Sequence, residues 1–558
     1  MKKFLLLLSV LLILPVASCE NNNRNEEFEF SEKVTTVEIN AGEVVKFTQD
    51  PLKILYIKAG LGYVDYGVPS QKNDNMFINF MTLSQLCKKE LDFSLDFIEI
   101  PSHLEEYNAY LSYLNSGLSG DLIFPTKVSS ITRPLGYDAW PASFYWDDKW
   151  IEEGTYMDIT KYIPQFCPQA ILNFEKYPQI KQMCSRNGRI YAVYAGMPTV
   201  TALSIIIKNS ILEENNIDSV TDFKTLLDIM DSKYRGNESI SEEQKILVSR
   251  QELLLYSMIQ TGHYPAFNFY PNLGIVLNKE DDQFRPVPIE DTDILDNLHE
   301  EFSPFFTGNY FTDDRDQYAA LIQGKQDIFL TLRPLWYIKS FASQCVDEKD
   351  NIFNKGYSIF LMDTPGMYLQ SFSIQPVPVP YSSTQPEKAL YFMQWLMTDP
   401  DAADILTYGS RIMNLGHYRF SSDDVIIPEA NNTIYGFFNL IANFSNKAFL
   451  CGNTQFNIAE QYREKTYEAF YPPFYLALHS NHMNFNKFAA LEELIRYKYN
   501  DRRSFWVNTI HEWITNPYST LTVHDVKKGL SECRDNEEMM KFITEYIESI
   551  DISVGGVS

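Results

Sequence analysis

A chain of 558 residues, 45 % of them apolar, exceeds what one hydrophobic core usually holds, so at least two domains are expected. Its formal charge of −26, from 73 acidic against 47 basic residues with no Lys/Arg run, argues against nucleic acid or an anionic polymer as partner. Seven cysteines without a CxxC spacing argue against a zinc cluster or a redox pair.

Lys2 and Lys3 precede the apolar run Phe4 to Val16, which has the layout of a secretory signal and is too short for a permanent membrane span. The run ends in Val16-Ala17-Ser18-Cys19, which resembles the lipobox of bacterial lipoproteins. That resemblance implies removal of residues 1–18, a lipidated Cys19 and an extracytoplasmic, lipid-anchored protein. Residues 19–50 read as the lipidated cysteine and a tether, polar at the start (Glu20 to Glu27), with the folded body beginning at 51. Of the other cysteines (87, 167, 184, 345, 451 and 533), Cys167 and Cys184 form the one close pair, and buried free thiols fit it better than a disulfide.

Lys53 to Ala59 reads as a strand, Asn75 to Leu91 as a helix, Phe93 to Ile100 as a strand, His103 to Asn115 as a helix and Asp121 to Pro125 as a third strand. This βαβαβ order predicts a parallel, doubly wound sheet whose ligand lies beyond the carboxyl ends of its strands, in the loops 60–75 and 126–141. Arg189 to Tyr194 is β-rich, Gly196 and Pro198 interrupt it, and Leu203 to Lys208 resumes it, either as a crossing between domains or as a bent strand within one. Val220 to Asp231 reads as a helix capped by Thr221. Tyr318 to Gly324 reads as another helix, and Asp327 to Leu332 and Tyr357 to Met362 as strands. Ser371 to Val379 is proline-broken and would be a second crossing. Pro386 opens a helix, Glu387 to Met397, with Trp395 on its buried stripe, and residues beyond 410 read as mostly helical.

Catalytic signatures are missing: there is no GxSxG, P-loop, GxGxxG after a strand or HExxH, and His479 and His482 suit a surface turn better than a metal. No enzyme activity, cofactor or metal is expected.

Several segments, in order, resemble the family 1 extracellular solute-binding proteins of bacterial ABC importers. They are KILYIKA at 53, SGDLIF at 119, YMDITKYI at 156, NGRIYAVYAGMPTVTALSIIIKNSIL at 187, SVTDFKTLLDIM at 219, AALIQGKQDIFLTLRPLW at 319 and PEKALYFMQWLM at 386. No one segment is diagnostic; their order over roughly residues 50–410 carries the likeness. The resemblance implies an α/β, two-lobe, periplasmic-binding-protein-like fold of type II with a hinge and a mainly helical C-terminal extension. Lobe 1 would take 51–196 plus 370–410, and lobe 2 would take 197–369 plus 411–558. It further implies a monomer that captures a small ligand, an oligosaccharide, and delivers it to permease subunits. A peptide or other small solute, a secreted lipoprotein enzyme acting on polysaccharide, and a helical-repeat glycan-capture lipoprotein are the competing readings.

A sugar site needs aromatic planes for the C–H faces and polar groups for the hydroxyl rim. Trp336 falls where the family places a stacking tryptophan, with Arg333 and Tyr337 beside it. Tyr194 and Met197 lie in the crossing stretch, to face a cleft or to pack in the hinge. Asp65 and Tyr66 sit in the loop after the first strand. Trp140, Tyr145 and Trp146 belong to an aromatic cluster that either lines the cleft or plugs the lobe. Arg411 and Tyr418 would close the pocket.

Overall fold

The computed structural model describes residues 37–39, 43–45, 47–56, 74–100, 112–113, 116, 118–124, 151, 154–194, 199–237, 239–266, 274–312, 320–321, 323–334, 356–363, 369–370, 376–399, 401–403, 405, 418–420, 425–428, 448–449, 461, 465, 474, 494, 497–510, 513 and 519–549. The first elements are β1 (Val37–Ile39) and β2 (Glu43–Val45), paired antiparallel with Val37 opposite Val45. They fall inside 19–50, the span that the sequence reading gives to the lipidated cysteine and tether. β-branched residues on either side of Asn40-Ala41-Gly42 favour a hairpin over open chain.

β3 (Leu52–Tyr56), α1 (Asp74–Leu91), β4 (Leu95–Glu99) and β5 (Leu122–Ile123) follow, and the strands pair in the order β4-β3-β5, all parallel. α1 buries Phe80, Leu83, Cys87 and Leu91 at helical spacing. The Ser84 hydroxyl accepts from the Leu95 N–H at 2.8 Å and donates to the Leu95 carbonyl at 3.0 Å, which joins α1 to β4. α2 (Ile163–Phe166), α3 (Pro168–Lys176) and α4 (Pro178–Met183) each carry a proline in the first turn, where its missing N–H costs no hydrogen bond.

β6 (Ser185–Arg186) and β7 (Arg189–Ile190) form a hairpin on Asn187-Gly188, both at positive φ (52° and 74°), as a two-residue turn of this twist requires. β8 (Ala192–Tyr194) is a separate strand. The run Arg189 to Tyr194 is therefore two strands, broken where the Tyr191 N–H turns to the Cys184 carbonyl at 3.0 Å.

β9 (Thr199–Lys208) leads into α5 (Asn209–Asn215) and α6 (Phe223–Tyr234). The cap of α6 is Asp222 rather than Thr221: its carboxylate accepts from the Thr225 N–H at 2.7 Å and from the Thr225 hydroxyl at 3.0 Å. β10 (Ile246–Leu247), α7 (Arg250–Gln260), β11 (His263–Pro265), β12 (Ile275–Asn278), β13 (Pro286–Pro288), α8 (Ile294–Thr307), β14 (Phe311–Thr312), β15 (Ile328–Pro334), β16 (Tyr357–Leu361) and β17 (Leu369–Gln370) come next. A mixed six-stranded sheet runs β14-β10-β15-β9-β16, with β17 also on β9. β9 lies between partners, and accordingly Ala202 to Ile207 are all buried, a continuous apolar run broken only by Ser204. β18 (Pro376–Pro378) returns to pair with β8, and α9 (Pro386–Thr398) buries Ala389, Leu390, Phe392, Met393 and Leu396. Trp395 on the same helix is buried and donates from Nε1 to Glu90 at 2.8 Å.

The region beyond 410, expected to be mostly helical, also contains β19 (Tyr418–Phe420), β20 (Val425–Pro428) and β21 (Ala448–Phe449), which form one sheet. α10 (Asn500–Phe505), α11 (Val523–Ser531) and α12 (Asn536–Glu548) follow.

Buried apolar residues separate into two cores, one drawn from 52–194 and 377–405, the other from 203–362 and 474–547. Each is closed by a polar device. In the first, the buried Lys388 donates to the carbonyls of Thr48 (2.9 Å) and Asp50 (2.8 Å), to Thr48 Oγ1 (3.1 Å) and to Gln385 Oε1, fastening the start of β3 to α9. In the second, Arg502 on α10 is 0 % exposed and forms a bidentate pair with Glu290, both bonds 2.7 Å. Arg502 also donates to Asn536 Oδ1 at 2.8 Å and to the Gly274 carbonyl at 3.4 Å. Gly274 has φ +62°, and a Cβ there would lie 2.4 Å from Trp506, so this contact needs glycine. Removing one partner of a buried ion pair strands the other charge. Glu290→Gln is therefore expected to cost about 3 to 5 kcal/mol, read as a lower midpoint in urea unfolding followed by tryptophan fluorescence.

Candidate functional site

Strand directions locate the site. β8 ends at Tyr194 and β9 starts at Thr199, so five peptide steps link the two sheets. On the return, six steps separate Gln370 of β17 from Pro376 of β18. The ends of the two passages are paired: Tyr194 is opposite Pro376, and Thr199 is opposite Gln370. At about 3.3 to 3.6 Å per residue, neither passage spans more than roughly 20 Å.

In the larger sheet, β15 runs antiparallel to β9 with Arg333 opposite Ala202, and β10 runs parallel to β15. The carboxyl ends of β10 and β15 therefore share the passage end with the first residues of β9. β18, paired with β8 in a two-stranded sheet, lies beside β5 of the three-stranded sheet β4-β3-β5. The Ser383 hydroxyl, beyond the far end of β18, donates to Asp121 Oδ1 at 2.8 Å, and Asp121 immediately precedes β5. β18 and β5 are thus antiparallel, so the carboxyl ends of β5, β3 and β4 also face the passages. Both sheets turn their carboxyl strand ends toward one place, the position where α/β sheets hold ligands. The Lys388 network sits at the opposite end of the smaller sheet.

Tyr56 and Glu99 close β3 and β4 at the passage end, a pair the periodicity of the sequence does not mark. The Tyr56 hydroxyl lies 3.4 Å from Glu99 Oε2, and burial first, then the Glu99 charge, pushes its pKa up to about 12. It remains a neutral donor at physiological pH. Phe80 stacks on Phe97 with centroids 3.9 Å apart and meets Tyr56 edge-on at 5.2 Å. On the other sheet, α7 begins beyond β10 with Arg250, Gln251 and Glu252. Glu252 is 1 % exposed, and its Oε1 accepts from Thr331 Oγ1 at 3.2 Å.

Of the residues proposed from sequence, Tyr194 is 1 % exposed inside the first core, where burial holds its hydroxyl pKa well above the usual value. The backbone of Arg333 lies at the passage end of β15, and that of Tyr418 in β19. Met197, Trp336, Tyr337, Asp65, Tyr66, Trp140, Tyr145, Trp146, Arg411 and Cys19 lie outside the described residues, as do His479 and His482. The segments that hold Asp65, Tyr66, Trp140, Tyr145, Trp146, Trp336 and Tyr337 leave from the ends of β3, β5 and β15, all at the passage end. Cys87, Cys167 and Cys184 are buried free thiols, their pKa values raised by burial. Among the described residues no group of three His, Cys, Asp or Glu is placed to hold a metal, and no helix is long and apolar enough to cross a membrane.

No family model matches the chain, and no curated protein matches it. Solved structures similar to it include the N-glycan transport solute binding protein of Streptococcus pneumoniae, at 15 % identity and a TM-score of 0.48 over 90 % of this chain and 100 % of that one. An extracellular solute-binding protein of Bifidobacterium longum subsp. infantis matches at 13 % identity and a TM-score of 0.46, covering 90 % of this chain and 99 % of the other. A family 1 extracellular solute-binding protein of Alicyclobacillus acidocaldarius matches at 11 % identity and a TM-score of 0.45, covering 89 % and 99 %. Nothing about the ligand follows from these likenesses.

The burial of Tyr194 fixes what its removal does. Tyr194→Ala is expected to lower stability by about 3 to 5 kcal/mol, as for other large buried aromatics, with a matching fall in thermal midpoint by circular dichroism.

Proposed function

We propose that the chain is the ligand-capturing lipoprotein of an ABC import system, holding an oligosaccharide between two lobes and handing it to membrane permease subunits. The single observation that carries this reading is the convergence of the carboxyl strand ends of both sheets on two short, adjacent passages. A pair of cores joined in that way opens and closes about the passages as a hinge, and a ligand favours closure by the contacts it gains in the closed form alone. The ordered segments shared with family 1 solute-binding proteins point the same way. Lobe 1 corresponds to the core built from 52–194 and 377–405, lobe 2 to the core built from 203–362 and 474–547. The protein binds and releases its ligand without chemistry, and acts as a monomer.

The ligand contacts in this reading come from the segments at the passage end. Trp336 and Tyr337 follow β15, Arg333 ends it, Met197 lies in the first passage, Asp65 and Tyr66 follow β3, and Trp140, Tyr145 and Trp146 follow β5. Arg411 and Tyr418 belong to the segment that joins the first core to the second beyond Ile405. Anchoring is through Cys19.

Two experiments test the reading. Cys19→Ser should move the protein from the membrane fraction to the soluble extracytoplasmic fraction, and unchanged membrane association would rule out the lipid anchor. A thermal-shift screen of the mature chain against oligosaccharides and peptides should find a carbohydrate that raises the melting temperature, since a ligand specific for the folded state stabilises it by mass action. With that ligand, Trp336→Ala should weaken binding about tenfold or more, by analogy with aromatic stacking worth about 1 to 3 kcal/mol. A sharp loss of stability with unchanged affinity would instead make Trp336 a core residue.

A further inference from the structure

Residues 375–381 read Gln-Pro-Val-Pro-Val-Pro-Tyr, with proline at every second position of the first six. A strand turns the N–H and C=O groups of alternate residues to opposite edges, so prolines spaced in this way remove donors from one edge alone. The hydrogen bonds show which edge keeps its donors. The Val379 carbonyl accepts from the Met157 N–H at 2.9 Å, and the Tyr381 N–H donates to the Thr155 carbonyl at 2.8 Å. Val377 has the same parity and is opposite Val193 of β8, between the pairs Pro376–Tyr194 and Pro378–Ala192. Neither proline can donate, so Val377 and Val193 form the bonded pair of this ladder. β8 and residues 155–157 therefore share one edge of the returning strand, and Pro376, Pro378 and Pro380 turn their backbones to the other.

β5 lies on the proline edge. Cα atoms of β18 come within 8 Å of those of β5, nearer than the roughly 10 Å between stacked sheets, so β5 is a lateral neighbour. Among the described residues no ladder joins the two: β18 pairs with β8, and β5 with β3. An edge without N–H groups cannot extend a sheet. What holds them together is apolar, since Val377, Val379, Leu122 and Ile123 belong to one core. Such contact is non-directional and tolerates displacement, whereas a ladder fixes register. At the far end of β18 the fastening is polar. The Ser383 hydroxyl donates to Asp121 Oδ1 at 2.8 Å and Gln385 Nε2 to Asp121 Oδ2 at 3.2 Å, and the Lys53 N–H of β3 holds the same carboxylate at 2.9 Å. The strand is thus pinned at the end remote from the passages, and lacks a ladder to β5 along its length up to Pro376, where the return passage arrives.

We propose that β8 and β18 form a ribbon that flexes as a unit separate from the β4-β3-β5 sheet, pivoting near Asp121, with the proline row as the device that keeps ribbon and sheet apart. This rests on the two-lobe reading above and gives its hinge a moving part: both passages leave from the free end of the ribbon, at Tyr194 and Pro376.

The test is hydrogen exchange of the mature, ligand-free chain, followed by mass spectrometry in rising urea. The Val193 and Val377 amides should exchange about tenfold or more faster than those of Ile54 and Leu55 on β3, and with a weaker urea dependence, as a local opening does. Equal rates with equal urea dependence would mean that ribbon and sheet open together, and would overturn the proposal. Pro376→Val combined with Pro378→Val returns two donors to the edge facing β5. In that variant the Val193 and Val377 amides should slow toward the β3 values, and rates unchanged from the parent chain would overturn the role of the prolines. Should the double variant fail to fold by circular dichroism, Pro376→Val alone, at the half-buried end of the row, carries the same comparison. No ligand enters the measurement, so its failure is distinct from that of ligand capture. Exchange at one common rate would overturn the ribbon and leave capture standing, whereas a thermal-shift screen that finds no ligand would leave the ribbon standing.

Discussion

The arrangement depends on the brevity of two passages. Five peptide steps after Tyr194 and six before Pro376 hold the strands on either side within roughly 20 Å of each other, and the residues that flank the passages are paired at both ends. Once those ends are held together, the strand directions decide the rest. β15 and β10 must finish where β9 begins, and β5, β3 and β4 must finish where β18 begins. The connecting segments then leave each sheet from its passage end, where α/β folds carry the loops that vary.

Each core is completed by chain distant in sequence, and in each case the closing contact is polar. Lys388 reaches back some 340 positions to the carbonyls of Thr48 and Asp50. Arg502 reaches back 212 positions to Glu290. Such contacts contribute specificity more surely than net stability, because desolvating the charges offsets much of what the bonds return. Their value lies in register: an ammonium among four oxygens, or a guanidinium fork on a carboxylate, tolerates little displacement of either partner. The first network also sets where the amino-terminal chain joins its body, at the end of the sheet remote from the passages.

Apolar spacing located α1 and α9 closely, because both bury a full stripe at 3.6-residue period and little else competes for those residues. The interior strand β9 was also recognisable, since burial on two faces demands an unbroken β-branched run. Other features went wrong for local reasons. Asp222 outcompetes Thr221 as a cap by placing its carboxylate within reach of the N3 amide. Residues 418–449 contribute strands despite the helical reading, because short strands borrow their order from neighbours. Arg250, Glu252, Tyr56 and Glu99 carried no signal, being single polar residues at element ends, where periodicity has nothing to say. A positive φ such as that of Gly274 gives no warning in the sequence either; its need for glycine comes from Trp506, more than 200 residues away.

By itself the sequence determined the class of the fold, the order of the α/β segments and the places where the chain breaks between them, since these follow from local periodicity and from Gly and Pro chemistry. It also settled the acidic character of the molecule and the lack of a catalytic signature. Only the tertiary structure decided which strand ends share a side, that Tyr194 is inside a core, and that Phe474, Tyr499 and Ile547 belong to the second core. The physical reason is that strand direction and long-range burial depend on pairing between segments hundreds of residues apart, and no local pattern encodes a partner.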